Sequence, residues 1–200
     1  MRRKRSPRSP LQRFALIAAA LGTLLLGYWL GNRYQFGELE QTAAIMLAQP
    51  IQLDSTGLPP ALAEPLQSAD SWLILLPGEP GAACDRLLDH YIQVFSRLAA
   101  HPQVQAKIRL ALLDVSAQAP TLAWQGIGWA DSYPLDQAQM LQTTGELGIA
   151  PLGTRWCEDV QATAALVGPQ ATAYALLPLD KPADIAESLR LIIEAFDPDV

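Results

Sequence analysis

Apolar residues recur along the chain in several spacings, and each spacing predicts an element. Residues 14–31 run from Phe14 to Gly31 as eighteen positions without a charge. As a helix rising about 1.5 Å per residue, this stretch reaches ~27 Å, close to the hydrocarbon thickness of a bilayer. Further on, Trp72-Leu-Ile-Leu-Leu76 is charge-free and bounded by Asp70-Ser71 and Pro77-Gly78, the pattern of a strand buried on both faces. From Asp85 to Ala99 the spacing becomes helical, with Leu87, Leu88, Tyr91, Ile92, Val94, Phe95 and Leu98 forming one apolar stripe. His101-Pro102 ends that helix, because a residue before proline disfavours helical angles. Ile108 to Val115 predicts a second strand, parallel to the first if the helix is their crossover.

The second half of the chain continues the alternation. Leu135 to Leu147 predicts a helix carrying Leu135, Ala138, Met140, Leu141 and Leu147. Trp124, Trp129, Tyr133 and Trp156 are expected as packing residues. Two apolar runs, Gln161 to Val167 and Thr172 to Leu177, flank Gly168-Pro-Gln-Ala171 and read as a β-hairpin. Pro182 opens a last helix reaching about Phe196, with Ile185, Leu189, Ile192, Ile193 and Phe196 on its buried face. The order is strand, helix, strand, helix, hairpin, helix. A parallel pair joined to an antiparallel hairpin and flanked by helices is the thioredoxin arrangement, so residues 72–196 are expected to form an α/β, thioredoxin-like domain. Residues 32–71 are expected to be a linker and irregular lead-in. Phe36 to Leu47 suits a helix leaving the membrane, and Pro50, Gly57, Pro59, Pro60 and Pro65 then interrupt regular structure.

Charge gives the apolar run a direction. Residues 1–33 hold seven Arg or Lys and no acid, whereas residues 34–200 hold seven basic residues and all twenty acids. Arg2, Arg3, Lys4, Arg5, Arg8 and Arg13 precede the run, so the positive-inside rule makes residues 1–13 a basic cytoplasmic N-terminus and residues 14–31 a single transmembrane helix. Everything beyond Arg33 is then exported. A cleaved signal peptide is the competing reading of the same pattern. Against it stand the length of the run, the aromatic edge Tyr28, Trp29 and Tyr34, and the lack of a small-x-small site between Gly27 and Tyr34. The acidic remainder argues against nucleic acid as a partner, since phosphates would be repelled.

Candidate chemistry is sparse. The chain holds two cysteines, Cys84 and Cys157, and two histidines, His90 and His101, too few for a site built from several His or Cys ligands. The carboxylates show no catalytic spacing, and neither a phosphate-binding glycine loop nor a Ser-His-Asp set is present. No cofactor, metal or complete catalytic motif is expected. Cys84 is the weak candidate for a reactive group, because a thiol near a helix N-terminus has its thiolate stabilised by unpaired N–H groups. Asp85 and Glu79 oppose that effect.

Three stretches resemble the Sco/SenC-type thioredoxin-like proteins of cytochrome c oxidase assembly. Ser71-Trp-Leu-Ile-Leu-Leu-Pro-Gly78, followed by a Cys-containing loop and a long helix, looks like that family's first strand, metal loop and helix. Ile108 to Asp114 is similar to its second strand, which ends in an acid. Asp159-Val-Gln-Ala-Thr-Ala-Ala-Leu-Val-Gly-Pro-Gln170 resembles its segment leading into the hairpin, and Ile185-Ala-Glu-Ser-Leu189 its final helix. The departures concern the ligands. The family's Cys-x-x-x-Cys copper loop reads Glu79-Pro-Gly-Ala-Ala-Cys-Asp85 here, and the family's histidine falls on Val160. On the thioredoxin template, Cys157 precedes the loop approaching the first helix, which makes Cys157 a possible partner of Cys84.

The resemblance implies an accessory protein of the bacterial inner membrane, single pass, with its C-terminal domain in the periplasm. It would assist cytochrome c oxidase assembly through contact with respiratory oxidase subunits or other assembly factors, without copper transfer of its own. The alternative is a thiol-dependent redox protein, thioredoxin- or peroxiredoxin-like, using Cys84. Structural cysteines, a Cys84–Cys157 disulfide and a working thiol all remain open on sequence alone.

Overall fold

A computed structural model of the chain describes residues 20–27, 42–78, 82–114, 126–149 and 163–197. The chain divides into two compact units, Met1–Gln41 and Thr42–Val200. In the first unit, residues 20–27 are helical and every one is exposed. Among the described residues no helix is long and apolar enough to cross a membrane. The expected span 14–31 extends outside the described residues at both ends.

The second unit is built on one six-stranded sheet. In chain order its elements are β1 (Ile45–Gln52), α1 (Pro60–Gln67), β2 (Trp72–Gly78), α2 (Ala82–Leu98), α3 (Pro102–Lys107), β3 (Ile108–Asp114), β4 (Ala130–Pro134), α4 (Gln137–Glu146), β5 (Thr163–Gly168), β6 (Thr172–Pro178) and α5 (Pro182–Phe196). The strands lie in the order β1-β6-β5-β2-β3-β4. β2 pairs in parallel with β3 from Trp72↔Ile108 to Gly78↔Asp114, and antiparallel with β5 through Leu75↔Ala165. β5 and β6 form the expected hairpin. The order β6-β5-β2-β3, with α2 as crossover and α5 following the hairpin, is the thioredoxin-like arrangement of a mixed α/β sheet.

Alternation along the strands divides the core in two. Leu73, Leu75, Ala111, Leu113, Ala165, Val167 and Ala173 pack in one cluster with Leu62 and Leu66 of α1 and Met140 of α4. No residue of α2 or α5 belongs to that cluster; those two helices pack against each other. All seven residues of β2 are buried, as a central strand covered on both sides requires. Trp72, 0% exposed, closes one end of the sheet. Its ring lies 5.1 Å from that of Tyr174, and its Nε1 donates to Asp197 Oδ2 at 3.4 Å. Lys107 Nζ approaches the same oxygen at 2.7 Å, so the end of α5 is tied to α3 and to the start of β2.

Several expectations are corrected. The helix expected from Phe36 to Leu47 is not continued where the structure describes it, since residues 42–44 are bent and Ile45–Gln52 is a strand. This segment gains ladder hydrogen bonds by pairing with β6, with a register shift between Met46 and Ile51. Pro50 is tolerated there because β1 is an edge strand with one unpaired side. The lead-in is not irregular throughout either. Pro60 sits at the start of α1, where its missing N–H costs nothing. Two of the residues named on the expected helix α4, Ala138 and Leu141, are exposed, as is Ile92 of the apolar stripe on α2. The short edge strand β4 and the helix α3 had no counterpart among the predicted elements.

Candidate functional site

One end of the sheet receives Cys84, the described candidate among the cysteines. β2 and β3 terminate together at Gly78 and Asp114, which are register partners. Pro134 at the end of β4 pairs with Asp114. β5 runs the opposite way, so its first residue, Thr163, lies toward this same end. In open sheets with parallel strands, ligands bind outside the carboxyl ends of the strands. Asp114 is buried there at 1% exposure, and its carbonyl oxygen accepts the Leu135 N–H at 2.7 Å.

Cys84 enters this end from the first turn of α2, a seventeen-residue helix beginning at Ala82. It is 1% exposed and bonded in a disulfide, so it does not titrate. The only other cysteine of the chain, Cys157, lies outside the described residues, as do Val160 and the loop residues Glu79, Pro80 and Gly81.

The remaining donors are held elsewhere. His90 lies six residues along α2 from Cys84, about 9 Å of helical rise. It is half-buried, and burial holds its imidazole below the ordinary histidine value, against the opposing pull of Asp180. His101 is exposed and occupies the cap position ahead of Pro102, beyond the far end of α2. Met140 is buried in the cluster beneath α4, to which α2 contributes nothing. Tyr133, at the end of β4, is buried, and burial followed by the nearby Asp131 raises its phenol. Trp129 stacks on Phe95 with ring centroids 3.8 Å apart, the packing role expected of it. Trp124 and Trp156 lie outside the described residues.

Among the described residues, no group of three or more His, Cys, Asp or Glu side chains is arranged to hold a metal ion. A soft Cu(I) site calls for several thiolate or imidazole donors. Cys84, at the start of α2, is engaged in a disulfide.

No family model and no curated protein matches the chain. Among solved structures, it is similar to the solution structure of apo Sco1 from Thermus thermophilus. That likeness has a TM-score of 0.49 and 12% identity, over 78% of this chain and 96% of that one. It is also similar to Bradyrhizobium japonicum ScoI with copper bound, at a TM-score of 0.41 and 13% identity, over 74% of this chain and 98% of that one.

Proposed function

We propose that this protein is a membrane-anchored, periplasm-facing accessory protein of cytochrome c oxidase assembly, acting through protein contact rather than copper transfer of its own. The observation that carries this reading is the state of Cys84. It stands at the loop-to-helix position where the resembled family presents a copper-loop cysteine, yet its sulfur is buried and covalently engaged. A sulfur in that state is neither a metal ligand nor a nucleophile. The pathway is supported by the resemblance of the stretches around Trp72, Ile108 and Asp159. The anchor is supported by the charge split about residues 14–31 and by the exposure of the apolar residues Leu21, Leu24, Leu25 and Leu26, each more than half exposed. A lipid environment would cover those side chains.

Deletion of the gene tests the pathway. Assembled oxidase, or its copper content, is expected to fall, and crosslinking of the anchored protein is expected to capture an oxidase subunit or another assembly factor. Unchanged oxidase would remove the pathway from this reading.

The second reading, a thiol-dependent redox protein, is favoured by one observation. The disulfide of Cys84 begins a long helix, whose N-terminus stabilises a departing thiolate. Thiol profiling of the native protein separates the two. A Cys84 that cycles between disulfide and thiol under mild reductant supports the redox reading, and an inert one supports the accessory reading.

A further inference from the structure

We infer that the outward face of α4 docks a basic amphipathic helix of a partner protein. The inference rests on the contact reading above and gives that contact a place and a chemistry. Met140, Thr143, Thr144 and Leu147 turn one side of α4 and its end into the domain, where they are buried. Ala138, Leu141, Gln142 and Gly145 share the opposite side at helical spacing, and all four are exposed. None of them carries a charge, and Leu141 stands at their centre, 54% exposed. A lone exposed leucine is ordinary on a protein surface. Two further features give this one an occupant.

The first is Gly145. A glycine within a helix lowers stability relative to alanine, and nothing inside the fold requires this one. Gly148, just past the helix, supplies a left-handed turn at φ 67°; Gly145 has no such conformation, and a Cβ added to it would meet nothing within 4 Å. Its bareness leaves room for a second helix to approach the backbone closely. The second feature is charge. Residues 42–69 and 126–149, which include β1, α1, β4 and α4, hold Asp54, Glu64, Asp131, Asp136 and Glu146 and no Lys, Arg or His. Asp131 is paired with Arg109 of β3. Glu146 lies in the last turn of α4, at the negative end of the helix dipole, and no basic residue in that turn offsets it. Its Oε2 accepts the Asp54 N–H at 3.1 Å, which sets a second acidic residue alongside. Asp136 caps the other end of the helix, so the uncharged centre is flanked by acid at both ends. A lysine or arginine of a partner would relieve the crowding at Glu146, while Leu141 meets that partner's apolar stripe. A second copy of this chain is disfavoured by the same distribution, because a two-fold contact sets a patch against itself and like charges would face each other.

Photo-crosslinking of the full-length protein in intact cells tests the site. Benzoylphenylalanine in place of Ala138 or Gln142 is expected to form an adduct with one other protein, through a segment of net positive charge with apolar residues at helical spacing. The same group in place of Gln93, on the exposed side of α2, should not form it. An adduct with a second copy of this chain, with lipid or with a segment lacking net positive charge would overturn the inference, as would no adduct. Leu141→Gln and Glu146→Gln are each expected to lower the adduct yield about tenfold at equal protein level. Gly145→Leu separates recognition from folding. The new side chain has room and favours the helix, so Tm should not fall, whereas the yield should fall as it does for Leu141→Gln. A yield that survives all three changes, or falls only where Tm falls too, sinks the docking site. Oxidase level in Leu141→Gln cells is read separately: a lost adduct with normal oxidase upholds the site and removes the pathway, whereas lowered oxidase with the adduct intact removes the site.

Discussion

Gly168 illustrates how a residue type can be needed for a reason that its sequence context does not announce. In Gly168-Pro-Gln-Ala171 the glycine looks like the flexible member of a turn. Its φ is −97°, an ordinary extended value, and the left-handed conformations fall instead on Gln170 and Ala171, both at φ 57°. What excludes a side chain at 168 is space. A Cβ there would stand 2.8 Å from Trp72 Cζ3 and 2.8 Å from Tyr174 Cε2. Neither ring is free to yield, since Trp72 is fully buried and Tyr174 is held between Trp72 and Phe196. Gly168→Ala is therefore expected to destabilise the domain by about 1–3 kcal/mol, the usual cost of forcing extra atoms into a packed core. Urea unfolding followed by tryptophan fluorescence reads both the midpoint and the disturbed environment of Trp72. A midpoint equal to wild type would mean that the rings give way more easily than their burial implies.

At the scale of elements, the segment expected to be linker turns out to carry part of the core. Leu53, just beyond β1, is buried among Leu58, Leu62 and the sheet residues, and its N–H donates to the Ala171 carbonyl at 2.9 Å. Leu53→Ala should cost about 2–5 kcal/mol, as for other buried leucines, with the loss measured as a shift in the urea midpoint. A loss within ~0.5 kcal/mol, typical of surface positions, would restore the linker reading. What the sequence made legible follows the strength of each local signal. β2, β3, the hairpin, α2 and α5 were readable because a long apolar run or a helical stripe leaves one structural solution. β1 and β4 were not. Ala130-Asp-Ser-Tyr-Pro134 has no apolar run and is a strand only because β3 supplies its hydrogen bonds. Ile45–Gln52 contains Pro50 and is mostly exposed or half-buried, as an edge strand paired on one side can be. The prolines at 59 and 60 looked like breakers, whereas they open α1. Edge elements depend on their neighbours, and a single stretch of sequence does not show its neighbours. The same holds for the candidate site. Cys84 was legible as a cysteine at a strand-to-helix loop, but its burial and bonding depend on chain that meets it from elsewhere in the fold.

For the whole molecule, the decisive chemistry is the contrast between a thioredoxin-like scaffold and the donors placed on it. The expected outcome for copper follows from that contrast. The protein as isolated, with Cys84 in its disulfide, offers no thiolate at that position and should fail to take Cu(I) from a competing chelator. After denaturation, reduction and refolding it would hold two thiols, yet Met140 is buried in the cluster of the opposite sheet face, His90 is about 9 Å of helix away, and position 160 is valine. Affinity should then be no greater than that of a generic exposed thiol, because Cu(I) gains its preference for such sites from several soft donors acting together. Two of the missing donors can be supplied as a control: a second Cys among residues 80–83 and Val160→His should raise Cu(I) affinity together, and neither alone should do so fully. Stoichiometric, tight binding by the wild-type protein that disappears in Cys84→Ser would reverse the conclusion. It would show that the disulfide opens to create a metal site, and that the protein carries copper itself rather than assisting assembly through contact.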